Sequence, residues 1–191
     1  MQRLSGAAGQ PEKGVRALTQ EMVFMRTKCN RMDLIKNLNL WGNDIQDISV
    51  LREMPNLEVL SLSVNQVTSL SDLQHCAKLS ELYLRKNEIR DLTEILHLRE
   101  LSRMKVLWLS DNPCANIPYY RQYVLHHLPG LTKIDAEDVT EDERNRARTA
   151  DFDAVDTRLD GGGDARDDQS VSEGFETPHG AGGRSRQGSG F

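Results

Sequence analysis

The chain repeats itself. Four segments share one pattern: Ile35-x-x-Leu38-x-Leu40-x-x-Asn43-x-Ile45, Leu57-x-x-Leu60-x-Leu62-x-x-Asn65-x-Val67, Leu79-x-x-Leu82-x-Leu84-x-x-Asn87-x-Ile89 and Met104-x-x-Leu107-x-Leu109-x-x-Asn112. Their asparagines are 22, 22 and 25 residues apart, and a shortened fifth copy begins at Leu131-x-x-Ile134. One copy would say little, but four in register are hard to obtain by chance. A period of this length restricts the chain to a stack of similar coils, because each coil alone leaves its apolar residues in water and only a neighbour covers them.

Each position has a physical reason. The apolar residues at positions 4 and 6 flank one outward residue, which is the alternation of a short strand. At position 9 an asparagine carries both a donor and an acceptor. It can therefore satisfy buried backbone groups of its own turn and of the neighbouring one. Asn43, Asn65, Asn87 and Asn112 are read as this structural ladder and not as ligands. The return segments also match: Leu51-x-x-Met54, Leu73-x-x-Cys76, Leu98-x-x-Leu101 and Leu125-x-x-Leu128 each precede the next repeat by the same spacing. Cys76 takes the slot of Met54, Leu101 and Leu128, so it is read as a small core residue. The third return is three residues longer and has room for a helical turn. This is the leucine-rich-repeat pattern. The expected fold is an α/β solenoid with short parallel strands on its concave face.

Both ends of such a stack need caps. Leu18, Met22, Met25, Cys29 and Met32 fall at helical spacing and predict an amphipathic N-terminal cap helix. Thr140-Glu141-Asp142-Glu143 is a capping box and predicts a C-terminal cap helix through Ala150. The folded part is then residues 18–150. Residues 151–191 hold nine acids, four bases and 9 of the 14 glycines, so they carry the whole net charge of −5. With so few apolar residues they are expected to be disordered, first acidic and then Gly/Ser/Arg-rich, and residues 1–17 likewise. Thr177-Pro178 is a weak site for a proline-directed kinase.

Charge and composition exclude several functions. The repeat region is electrically neutral and carries no basic stripe, so direct nucleic-acid or membrane binding is not expected. No apolar run is long enough to span a membrane, and the start MQRLSGAAGQPEKG has no apolar core of a secretory signal. Cys29, Cys76 and Cys114 are odd in number and far apart, which fits a reducing, cytoplasmic setting without disulfides or a zinc site. The GxxxxGK, HExxH, GxSxG and GxGxxG patterns are all absent. His126 and His127 are adjacent and would diverge on a helix, His75 and His97 lie on return segments, and the tail aspartates lack the form of a calcium loop. No enzyme, cofactor or metal is expected.

The outward positions of the strands carry the candidate site. Position 3 reads Asn37, Val59, Glu81, Val106 and Lys133. Position 5 reads Asn39, Ser61, Tyr83, Trp108 and Asp135, and position 7 reads Trp41, Ser63, Arg85 and Ser110. Both tryptophans of the chain are here, beside a tyrosine and an arginine. These residue types anchor protein interfaces. The expected protein-binding face is Asn39, Trp41, Ser61, Ser63, Tyr83, Arg85, Val106 and Trp108.

Beyond the repeat, the turn at Asn112-Pro113-Cys114, the run from Leu128 to Asp135 and the ending Val139 to Arg144 resemble the C-terminal cap of the 22-residue repeat class. The runs Leu38-Asn39-Leu40-Trp41-Gly42, Leu60 to Asn65, Leu79 to Asn87 and Val106-Leu107-Trp108-Leu109 resemble the cilia- and flagella-associated protein 410 family over about residues 18–148. That resemblance implies a non-enzymatic scaffold of basal bodies and cilia, with a C-terminal helical oligomerisation segment and a NIMA-related kinase as partner. No long heptad pattern follows Ala150, so oligomerisation through such a segment is not expected of this chain. Spliceosomal leucine-rich-repeat proteins share a similar Asn-Pro-Cys-like cap, and phosphatase regulators use the same repeat class. A ribonucleoprotein assembly subunit and a phosphatase regulatory subunit are therefore the alternatives.

Overall fold

The computed structural model describes residues 14–156. Helix α1 (Gln20–Thr27) leads into five repeat strands: β1 (Asn37–Asn39), β2 (Val59–Ser61), β3 (Glu81–Tyr83), β4 (Val106–Trp108) and β5 (Lys133–Ile134). Helix α2 (Tyr120–His127) lies between β4 and β5, and strand β6 (Glu137–Asp138), α3 (Glu141–Thr149) and α4 (Asp153–Asp156) follow. The sheet order is β1-β2-β3-β4-β5-β6. Neighbours are parallel except for β5 and β6, which form a closing antiparallel hairpin. The register is the one the repeat requires: Asn37, Val59, Glu81, Val106 and Lys133, all at position 3, stand side by side.

The leucines of positions 4 and 6 are buried throughout, from Leu38 and Leu40 to Leu107 and Leu109. Short 3-10 turns bring the chain back behind the sheet at Ser49–Glu53, Ser71–His75 and Leu92–Leu98. The longer third return carries Glu94, whose Oε2 accepts hydrogen bonds from the Leu70 N–H (2.7 Å) and Ser69 Oγ (3.0 Å) of the preceding one. Cys76 is fully buried among these turns, and burial pushes its thiol up to about 12. Its core role is thus that of an inert hydrophobe.

The asparagine ladder forms from its second rung. Asn65 Oδ1 accepts from the N–H groups of Asn43 (3.1 Å) and Ile45 (2.9 Å), and its amide donates to the carbonyls of Leu40 and Leu62. Asn87 and Asn112 repeat the motif with Val67 and Ile89. Asn43 departs from its expected role. No repeat precedes it, so it is half-buried and ties only Arg26 and the Trp41 carbonyl. At the far end Asp135, expected on the outward face, instead closes the ladder. Its Oδ1 accepts from the N–H groups of Leu109 and Ser110, and its Oδ2 accepts from Tyr120 Oη.

The turn before each rung needs a left-handed residue. Gly42 supplies it in the first repeat, but Val64, Lys86 and Asp111 must adopt φ of +60°, +57° and +61°. For a β-branched side chain this is a strained position. Val64→Asn, which tolerates the region, is expected to raise the unfolding free energy by about 1 kcal/mol. Urea denaturation reads this as a higher midpoint, and an unchanged or lower midpoint refutes it.

The caps differ in part from expectation. Helix α1 is shorter than the apolar spacing predicted. Thr19 caps its start, and Lys28 ends it in the left-handed region. Leu18 and Val23 are buried, whereas Met25, counted in the expected stripe, is 76% exposed and Cys29 lies beyond the helix. Packed structure also extends past both expected limits. The Leu18 N–H bonds the Asp47 carbonyl, the Gln46 N–H bonds that of Arg16, and Phe152 is buried beyond the supposed end at Ala150. The remainder of the segments expected to be disordered, 1–13 and 157–191, lies outside the described residues.

At the C-terminal cap the box is present as expected. Thr140 accepts from the Glu143 N–H, and Glu143 reaches back to the Thr140 N–H. Glu143 also receives Arg121 Nε at 2.8 Å, and mainly this bond holds its carboxyl down at about 2. Because the folded-state value lies below the unfolded one, this stabilisation is complete above about pH 4.5 and is lost as pH falls toward about 2. Glu143→Gln is expected to flatten stability against pH across that interval. An acid-denaturation series identical to wild type would show that the bond contributes nothing.

Candidate functional site

Strand register decides which outward side chains meet. Ser61, Tyr83 and Trp108 occupy one row across β2, β3 and β4. The Tyr83 and Trp108 rings are 5.9 Å apart and tilted by 52°, a favourable aromatic arrangement. Both are half-buried, so neighbouring coils shield part of each ring and leave the rest to solvent. Their polar ends are held: Tyr83 Oη donates to Glu81 Oε2 at 2.7 Å, and Trp108 Nε1 donates to Ser110 Oγ at 2.8 Å. The bond to Glu81, more than burial, raises the Tyr83 phenol above its ordinary value. Rings fixed in this way lose little freedom when a partner covers them.

Strands β1 to β4 are only three residues long, so position 7 lies outside them. Trp41, Ser63, Arg85 and Ser110 therefore sit where the chain begins to turn, not on strands as expected. Trp41 is 62% exposed, with its backbone N–H fixed by Asn39 Oδ1 at 3.0 Å. Arg85 pairs with Asp111 at 2.8 Å, but both side chains are about half exposed, so water screens the pair and its contribution is small.

The expected face resolves into two parts. One is a hollow of about 780 Å³ at the N-terminal end, lined by Asn37, Asn39, Trp41, Ser61 and Tyr83 together with Arg26 and Thr27. The other is the ring pair of Tyr83 and Trp108, with Val106 half-buried on the same strand as Trp108. Tyr83 belongs to both. Arg85, Ser63, Val106 and Trp108 do not line the hollow. Arg26 and Thr27 were not anticipated, because they belong to the cap helix and reach the sheet only through tertiary packing. The basic residue in the last turn of α1 was the one available clue.

The family model described as leucine-rich repeat matches residues 21–156. The chain belongs to the leucine-rich-repeat family. Among leucine-rich-repeat proteins it is 48% identical over 132 residues to cilia- and flagella-associated protein 410 of Mus musculus, covering 68% of this chain and 53% of that one. The Homo sapiens protein of the same name is 47% identical over 132 residues, covering 68% and 52%. The chain thus spans about half the length of the curated relatives it matches. Among solved structures, the crystal structure of the Drosophila melanogaster SNF/U2A' complex aligns with a TM-score of 0.53 at 20% identity, over 75% of this chain and 98% of that one. That likeness shows the leucine-rich-repeat fold. The resemblance read from the Leu38, Leu60, Leu79 and Val106 runs is supported by the first two relatives. This is a leucine-rich-repeat protein related to cilia- and flagella-associated proteins. Among its described residues, no helix is long and apolar enough to cross a membrane.

Proposed function

We propose that the protein is a non-enzymatic interaction scaffold of the ciliary or flagellar base, which holds a protein partner on the outward face of its sheet. The observation that carries this reading is the ring pair on adjacent strands. Tyr83 and Trp108 are partly open to solvent, locked by Glu81 and Ser110, and bordered by small polar residues at Ser61 and Ser110. Half-shielded, immobilised aromatic side chains are where interface energy concentrates. Placement at the basal body, within the cytoskeleton, rests on the relatedness to cilia- and flagella-associated proteins. By the same resemblance a NIMA-related kinase is the first partner to test.

The test compares partner capture by wild type and by a Tyr83→Ala, Trp108→Ala double variant in ciliated cells. Loss of a hot-spot ring weakens binding by about 2 kcal/mol or more, which is roughly thirtyfold. Recovered partners should fall accordingly while the variant keeps its fold by circular dichroism. Equal recovery by both baits would refute the aromatic face. Imaging of the tagged protein separates location from mechanism. Signal at the basal body supports the reading, nuclear speckles favour a ribonucleoprotein subunit, and diffuse signal with a co-purifying phosphatase favours a phosphatase regulator.

A further inference from the structure

We propose that the hollow at the N-terminal end of the outward face selects the partner by charge: it receives an aspartate or glutamate side chain from the protein segment whose apolar residues cover Tyr83 and Trp108. The assignment deepens the scaffold reading and rests on it for the existence of a protein partner, but it depends on different side chains.

The hollow exists because the first coil has no coil before it. Helix α1 packs against β1, and the Leu18 N–H and Gln46 N–H bonds tie the segment ahead of the helix to the first coil, so this end of the sheet is covered. The last turn of α1 thereby becomes one wall of the hollow of about 780 Å³, where Arg26 and Thr27 meet Asn37, Asn39, Ser61 and Tyr83. The missing coil also frees Asn43. In the next rung Asn65 Oδ1 accepts from two backbone N–H groups, whereas Asn43 Oδ1 accepts from Arg26 Nη2 at 3.3 Å and Asn43 Nδ2 donates to the Trp41 carbonyl. An asparagine with no ladder to serve thus positions the guanidinium.

The lining is one-sided in charge, with Arg26 and no acidic residue. Among the described residues Arg26 forms no ion pair, its Nη2 donating only to Asn43. Glu81, which continues the row of Asn37 and Val59 onto β3, is engaged by Tyr83 Oη. Asn39 Oδ1 already accepts from the Trp41 N–H at 3.0 Å, so its NH2 group is what remains to offer a ligand. Donors around one unpaired cation suit a carboxylate, whose oxygens only accept. Arg26 is exposed in the free protein, so the pair gains its strength when a partner's apolar residues, lying against Trp41 and Tyr83, exclude water from it. Neighbouring strands stand about 4.8 Å apart, so the hollow beside β1 and β2 lies about 10 Å from the middle of the ring pair on β3 and β4. One segment spans this in about three residues if extended or about seven if helical. The partner's acid therefore keeps one fixed spacing from an apolar residue.

The probe is a phage-displayed library of random dodecapeptides, selected in parallel on the full chain and on its Arg26→Glu variant. Wild type is expected to enrich peptides with an aspartate or glutamate at one fixed spacing from a large apolar residue, and the variant to enrich lysine or arginine at that place. The most enriched wild-type peptide is then synthesised with fluorescein, beside a twin whose acid is replaced by asparagine or glutamine. The twin should bind wild type at least tenfold more weakly, and Arg26→Gln should reduce the acid peptide to the affinity of the twin. Lys28→Asn, at an exposed cation that does not line the hollow, should change neither. Arg26 also stands in the last turn of α1, where a cation offsets the helix dipole. Were that its whole role, Arg26→Gln would lower the urea midpoint and leave peptide binding unaltered. Trp108 does not line the hollow, so Trp108→Ala should weaken both peptides by the same factor. Absence of that weakening with the acid preference intact refutes the aromatic face and leaves the hollow standing. No acid-bearing peptide enriched by wild type, the same sequences selected by wild type and Arg26→Glu, or equal binding of the acid peptide and its twin overturns the proposal.

Discussion

Asn65→Ala is expected to destabilise the protein by about 4 kcal/mol, as read from urea denaturation. The wild-type amide serves five backbone groups in two consecutive repeats: it accepts from the N–H groups of Asn43 and Ile45 and donates to the carbonyls of Leu40, Leu62 and, more weakly, Ser63. Alanine leaves the two donors without a partner at a place where water has little access. Each buried orphan costs about 1–3 kcal/mol, and the vacated volume adds to this. The carbonyls suffer less, since Leu62 also accepts from Asn87. Asn43→Ala is the internal control. Its side chain is half-buried and bonds only Arg26 and the Trp41 carbonyl, so the same substitution should cost about 1 kcal/mol or less. Equal losses at the two positions would show that the ladder is not what joins the repeats. Asn65→Asp adds a further discrimination. It keeps the acceptor for both N–H groups but removes the donors and buries a charge, so it should be no milder than alanine.

The stack itself was legible because its cause is local and periodic. A Leu-x-Leu strand and an asparagine three residues later recur in each coil, and one coil's register fixes the next. That is why Asn37, Val59, Glu81, Val106 and Lys133 align as the spacing demands. The caps lack this redundancy. At the front, counting apolar residues at helical spacing selected Met25, while the structure buries Val23. The capping residue Thr19 explains the difference. With the helix starting at Gln20, Leu18 and Val23 occupy the two flanking positions of a hydrophobic staple, and both are buried. Apolar periodicity alone cannot register that arrangement, because Leu18 lies outside the helix. Asp135 was misplaced for a similar reason. Its strand position points outward in a full repeat, but β5 is followed by a hairpin instead of another coil, and the carboxylate turns to the Leu109 and Ser110 N–H groups left open there. The binding face divides along the same line. Tyr83 and Trp108 were readable from strand positions, whereas the approach of Arg26 to the sheet depends on how α1 docks.

Phe152→Ala is expected to cost about 3–4 kcal/mol, the range for deleting a buried phenyl ring. Acidic neighbours on both sides made this residue look like part of a solvated tail. The ring nevertheless is buried, 5.1 Å from Tyr123 in an edge-on arrangement, 5.3 Å from His126 and 5.8 Å from Tyr119. All three partners lie in or just before α2, about thirty residues earlier, so no local pattern announces the contact. The segment is also tied by Tyr123 Oη, which donates to Asp156 at 2.7 Å and whose phenol is raised by burial and by that carboxylate. Removing the ring opens the back of α2 to water and frees the Asp156 contact together with it. Two further variants separate these effects. Asp156→Asn keeps an acceptor for Tyr123 and should cost about 1 kcal/mol or less, whereas Asp153→Asn, on an exposed side chain, should cost nothing measurable. If Phe152→Ala instead unfolds at the wild-type urea midpoint, the stack is closed by α3 alone and the ring is a passenger. A loss of the expected size makes residues 152–156 an integral layer of the C-terminal cap. Any shortened form intended for binding studies must then run through Asp156, since ending at Ala150 would expose the Tyr119, Tyr123 and His126 surface and create an apolar patch that competes with the outward face for partners.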